Sequence, residues 1–72
     1  MISSQQVIKN ALNQNKGDRF EIKDLFDSTD WEKETRQHRR ELGAQFVKYA
    51  KGSKDIKLIG RKGNNHKVYE RL

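Results

Sequence analysis

Residues 31–51, WEKETRQHRRELGAQFVKYAK, decide how this chain is read. The stretch predicts one helix with two unlike halves. In the second half Leu42, Phe46, Val47 and Ala50 fall at i, i+4, i+5 and i+8, the spacing of a buried stripe. The first half, residues 32–41, holds no apolar residue and carries Lys33, Arg36, His38, Arg39 and Arg40. A core anchors the back of such a helix while its front projects into solvent or onto a partner. At ~100° per residue, Lys33, Gln37, Arg40, Ala44, Lys48 and Lys51 line one outward strip, opposite Leu42 and Phe46. Arg39 falls on the core side, with Leu42, Phe46 and Ala50.

Working upstream, Asp27, Ser28, Thr29 and Asp30 form a turn-favouring run whose side chains can cap the long helix. Trp31 follows directly. It closes the core between a short helix and the long one, with ligand stacking as the alternative. Residues 23–26 read as a helical turn or short helix with Leu25 and Phe26 inward. Residues 19–22 alternate, with Phe20 and Ile22 on one side, and predict a short strand. Residues 1–15 predict a first helix: Ser3 caps it with Gln6 in a capping box, and Ile2 and Val7 sit at the hydrophobic staple positions. Val7, Ile8, Ala11 and Leu12 make its buried stripe, and Gly17 suits a left-handed C-cap.

Downstream, Gly43 interrupts the long helix beside its buried stripe. Glycine costs ~1 kcal/mol there relative to alanine, which predicts close approach of another helix as compensation. Gly52 and Ser53 end the helix. Residues 56–59 and 68–72 are β-rich runs, and in the loop between them Gly63, Asn64 and Asn65 tolerate the positive φ that a hairpin turn requires.

The bulk numbers narrow the function. Residues 1–72 make one domain, near the size at which a core alone sustains a fold. The chain is 32% hydrophobic and 36% charged, with a net charge of +6. Residues 1–34 carry 5 basic and 7 acidic side chains, whereas residues 35–72 carry 11 basic and 3 acidic. A basic C-terminal half points to a polyanionic partner; a merely solvated surface is the plainer reading. With no membrane-length apolar run and no signal-peptide pattern, a cytoplasmic location is expected and no membrane partner. The chain has no cysteine, hence no disulfides and no thiolate metal sites.

Catalysis has little to work with. His38 and His66 lack motif partners, and His38, among arginines, reads as exposed. Asp24, Asp27 and Asp30 are spaced like helix starts and lack the glycine and terminal glutamate of a calcium loop. Gly60, Arg61, Lys62 and Gly63 are too few for a phosphate-binding loop. No enzyme, cofactor, metal or small-molecule substrate is expected.

The order helix, short strand, short helix, long helix, two-stranded β-hairpin resembles the winged helix-turn-helix domain, an α+β fold, over nearly the whole chain. Phe20, Leu25, Phe26, Trp31, Leu42, Gly43, Phe46 and Tyr69 are similar to a group of small uncharacterised proteins of Gram-positive bacteria and their phages. The resemblance implies that the long helix is the recognition helix, its N-terminal half in the major groove, and that residues 61–67 form a wing beside the backbone or minor groove. Arg40 then suits a bidentate contact to guanine, Gln37 one to adenine, and Ala44 the groove wall or a thymine methyl. Lys33, Lys48, Lys51, Arg61, Lys62 and Lys67 suit phosphates. Glu32, Glu34 and Glu41 depart from the pattern and must point away.

Each residue also has a plainer role. Arg39 suits pairing with a carboxylate such as Asp24, Asp27 or Asp30 better than a base contact. Asn64 and Asn65 suit turn geometry, and Tyr69 suits packing on the sheet. The leading expectation is a small double-stranded DNA-binding protein, a transcriptional regulator or phage-derived accessory factor. The competing one is a winged-helix interaction module that docks its basic face on an acidic protein. RNA binding lacks support, because no aromatic residues interleave the basic strip.

Overall fold

Ser3 sets the start of the first helix. Its hydroxyl accepts from the Gln6 N–H at 3.2 Å, and the Gln6 side chain accepts from the Ser3 N–H at 2.7 Å, the reciprocal pair the sequence called for. Helix α1 then spans Ser4–Leu12 in the computed structural model, which describes residues 1–63 and 66–72. It is shorter than residues 1–15, and Asn13, not Gly17, ends it. Gly17 does take the left-handed conformation, with φ at 93°. There the turn aims its N–H at the Arg71 carbonyl, 2.6 Å away, and fastens the loop to the last strand.

Strand β1 is only Arg19–Phe20, and a 3-10 helix, Ile22–Leu25, begins where residues 21–22 were expected to continue it. The cause is local: the Asp24 carboxylate accepts the Glu21 N–H at 2.9 Å and turns the chain out of the sheet.

The expected helix over residues 31–51 is two helices. Helix α2 spans Ser28–Glu32 and α3 spans Arg36–Gly52. Between them Thr35 is extended, and its hydroxyl accepts the His38 N–H at 3.0 Å. A hydroxyl able to satisfy an orphan N–H starts a new helix here instead of continuing the old one. The run Asp27 to Asp30 therefore opens α2. Trp31 belongs to α2, and Lys33 lies at its C-terminal end, outside α3.

Strands β2, Ile56–Arg61, and β3, Lys67–Arg71, form the expected hairpin, but β1 joins it. The sheet is antiparallel with order β1-β3-β2, Phe20 opposite Tyr69 and Leu58 opposite Tyr69 on the other side. The register shifts between Leu58 and Gly60, so Ile59 is an extra residue and stays exposed. Gly63 does not adopt positive φ. The turn role expected of Asn64 and Asn65 lies outside the described residues.

The core gathers Val7 and Ala11 of α1, Leu42, Phe46 and Ala50 of α3, and Phe20, Ile56 and Tyr69 of the sheet, with Ile2. The Phe46 ring meets Tyr69 edge-on at 4.7 Å, and Phe20 stacks on Tyr69 at 6.0 Å. Val47, Leu25, Phe26 and Trp31 pack against this cluster partly buried. Gly43 contradicts its expectation: a Cβ built there would meet nothing within 4 Å, so no helix approaches it. Among the described residues no helix is long and apolar enough to cross a membrane.

Candidate nucleic-acid interface

The open space at Gly43 belongs to a groove. One wall is the N-terminal half of α3, with Arg36, Arg39, Arg40 and Gly43. The hairpin supplies the opposite wall through Arg61, His66 and Lys67, while Trp31, Tyr69 and the run Glu21, Ile22 and Lys23 complete the lining, with Glu21 its acidic member. Residues 36, 40 and 43 fall at i, i+4 and i+7, so one helix face presents two guanidiniums and then a gap. That spacing was the signal for Arg36, which the outward strip passed over. Nothing in the sequence marked Lys23 as a neighbour of this face, and His66 was included only through the wing as a whole.

Of the residues expected at a DNA surface, Arg40, Arg61 and Lys67 come together in this groove. Gln37, Ala44, Lys48 and Lys51 continue along the exposed side of α3 outside it. The Gln37 amide donates to Glu41 at 3.4 Å. Lys33 is exposed beyond the end of α2. Lys62 turns to Glu21, with Nζ 2.7 Å from Oε2.

Arg39 is half-buried, as its place on the core side required, but its partner is not a carboxylate. Nε and Nη2 both donate to the Trp31 carbonyl, at 3.1 and 2.9 Å. The guanidinium carbon also lies 5.5 Å from the Trp31 ring centroid. The helix break explains the change: α2 ends at Glu32, so the Trp31 carbonyl takes the Glu34 N–H of the closing turn at 3.1 Å and has a second lone pair open for Arg39 of α3. Phe26 stacks on the same indole at 6.2 Å, so Trp31 is committed on its faces to Phe26 and Arg39.

His38 is likewise not simply exposed. Its Nε2 lies 2.6 Å from the Ile2 carbonyl, and the Ile2 N–H donates to Glu34 at 2.6 Å. The Glu34 carboxylate is thereby turned to the N-terminal segment and is nearly buried, at 8% exposure. Glu41 stays on the exposed side of α3, next to Gln37.

At the turn end of the hairpin, Glu21 is the buried charged residue among the described residues, 5% exposed. Besides Lys62 it receives His66, Nδ1 to Oε1 at 2.9 Å, and Lys23 lies 4.0 Å away. Burial pushes the Glu21 pKa up, but the bonds to Lys62 and His66 and the nearby positive charge outweigh it and hold the carboxyl below its usual range. The same hydrogen bond raises the Lys62 ammonium. Tyr69, fully buried on β3, has a hydroxyl with no hydrogen-bond partner among the described residues, and burial pushes its pKa up to about 12. Among the described residues no three His, Asp or Glu side chains gather where a metal ion could be held.

A family described as a domain of unknown function, DUF1413, matches residues 5–71. The chain belongs to the DUF1413 family. No curated protein matches it. Among solved structures, one described as "SCCmec type IV LP1413 - nucleic acids binding protein" superposes on this DUF1413 domain with a TM-score of 0.67. The two are 23% identical, and the match covers 100% of this chain and 92% of that chain. The likeness shows a shared fold, helices on a three-stranded antiparallel sheet.

Proposed function

We propose that this DUF1413 domain is a small non-enzymatic nucleic-acid-binding protein of the winged-helix type that engages double-stranded DNA. In this reading α3 enters the major groove, and the hairpin is the wing on the backbone. The observation that carries it is the groove in which Arg36, Arg39 and Arg40 face Arg61 and Lys67. Cations converging from two elements suit a phosphodiester chain better than a diffuse solvated surface does. The description of the structural neighbour as a nucleic-acid-binding protein supports the same class of partner. The exposed run Gln37, Arg40, Ala44, Lys48 and Lys51 would carry base and phosphate contacts along the helix. A role as a transcriptional regulator or phage-derived accessory factor in the cytoplasm fits this reading.

Salt dependence tests it. Among Arg36, Arg40, Lys48, Lys51, Arg61 and Lys67, about four to five phosphate contacts at once give a log–log slope of roughly −4 to −5 in a duplex titration. Replacing Arg61 and Lys67 together by alanine, which leaves the Lys62–Glu21 pair in place, should reduce the slope by about two and leave sequence preference unchanged. Absence of duplex binding at low salt would reject the DNA reading and leave docking on an acidic protein surface as the use of the basic face. A slope that survives loss of these two hairpin cations would reject the winged mode.

A further inference from the structure

The hairpin reaches beyond the part of the sheet that supports it. Strand β1 pairs only Arg19 with Glu70 and Phe20 with Tyr69, so among the described residues Val68 and Lys67 have no third strand beside them. Where that strand would have continued, the chain places Glu21. Its backbone is fixed by the Asp24 carboxylate at 2.9 Å, and its own carboxylate reaches Lys62 at 2.7 Å and His66 at 2.9 Å, one from each side of the hairpin end. The Lys62 N–H donates to the His66 carbonyl at 2.9 Å, so both anchors sit on the pair that closes the strands. Taking a carboxylate out of water is costly, and breaking such a pair costs more than never having built it.

We infer that Glu21 is a positioning residue for the interface: it stands in for the missing strand and holds the hairpin end so that Arg61 and Lys67 face Arg36 and Arg40 across the groove. This rests on the nucleic-acid reading above. A carboxylate among Lys23, Lys62 and His66 otherwise only weakens the local positive field. Charge alone therefore predicts that removing it tightens binding to a polyanion. Positioning predicts that removing it weakens binding. The sign of the change separates the two.

The test uses the full chain with Glu21→Gln, and Glu32→Gln as a charge control at an exposed position of α2. In the free protein, Glu21→Gln should speed amide exchange at Lys62 by about tenfold or more while Tyr69 in the core is unchanged. On a mixed-sequence 20-base-pair duplex at low salt, Glu21→Gln should lose about tenfold in affinity, with Glu32→Gln equal to or tighter than the parent. Glu21→Asp keeps the charge but shortens its reach, and should weaken binding in the same direction; it carries both readouts if Glu21→Gln does not fold. Glu21→Gln binding as tightly as the parent, or an unchanged Lys62 exchange rate, would overturn the inference. A parent protein that binds no duplex would instead reject the nucleic-acid reading, and the positioning role with it, leaving the exchange rate to report on the anchor alone.

Discussion

Tyr69→Phe should make the protein more stable. Tyr69 is fully buried between Phe20 and Phe46, and its ring carries both aromatic contacts. Its hydroxyl has no hydrogen-bond partner among the described residues. A buried hydroxyl left unpaired costs about 1–3 kcal/mol, and phenylalanine removes that cost while keeping the ring. A gain of about 1 kcal/mol corresponds to roughly 4–8 °C in Tm for a domain of this size. Alkaline unfolding gives an independent reading. With the hydroxyl pKa raised from 10.0 to about 12, both states are protonated below pH 10 and the native protein keeps its full stability. Between pH 10 and 12 the unfolded chain ionises first, so stability falls, by up to about 3 kcal/mol at ~1.4 kcal/mol per pKa unit. The variant lacks that group. Urea titrations of both proteins from pH 8 to 12 should therefore diverge above pH 10, with the difference isolating Tyr69 from the lysines that titrate in the same range. A Tyr69→Phe protein that melts lower at neutral pH would show that the hydroxyl has a partner, and alkaline curves that stay parallel would show that burial does not raise its pKa; either result would refute the reasoning.

Arg39 and Arg40 are adjacent and should behave oppositely. Arg39→Ala removes two charge-assisted bonds to the Trp31 carbonyl and should cost about 1–2 kcal/mol in a denaturant melt, whereas Arg40→Ala should leave the melt unchanged and weaken duplex binding. Trp31→Ala should cost about 2–3 kcal/mol by the same measurement, less than the 3–5 of a fully buried aromatic, because Trp31 is only partly buried against Phe26. Acid should expose Glu21: its carboxyl lies below the ordinary 4.5, so its contribution is complete above that pH and is lost as pH falls through the folded value. Stability curves of the parent and Glu21→Gln should converge in acid and separate above pH 4.5.

The periodic parts of this fold were legible in the residues. The Ser3–Gln6 box starts α1 as expected, and Leu42, Phe46 and Ala50 are buried together as their spacing required. Arg39 was placed on the right side of its helix for the same reason. What periodicity does not encode is where a local side chain overrules it. Thr35 split the long helix, and Asp24 cut β1 to two residues, each through one hydrogen bond. The groove was half legible. The cations of α3 could be sorted by angle, but Glu21 and His66 are 45 positions apart, and no spacing announces that a buried acid will meet the hairpin. Gly43 was read as room for a neighbouring helix; it is open space on the groove.

The strand order β1-β3-β2 puts the last-made element in the middle of the sheet. Strand β1 and strand β2 have no ladder with each other, so neither gains a partner until residues 67–71 arrive between them. On a ribosome, α1, α2 and α3 can form and meet while the sheet still lacks its centre. Closing it then brings together positions as distant as Gly17 and Arg71, whose bond ties the two ends of the fold. Such distant pairings carry the loop-closure cost before they return any stability. Tyr69, inside that strand, packs against both Phe20 and Phe46, so the hydrophobic interior and the sheet should consolidate in one late step, after the other elements of the fold have been synthesised.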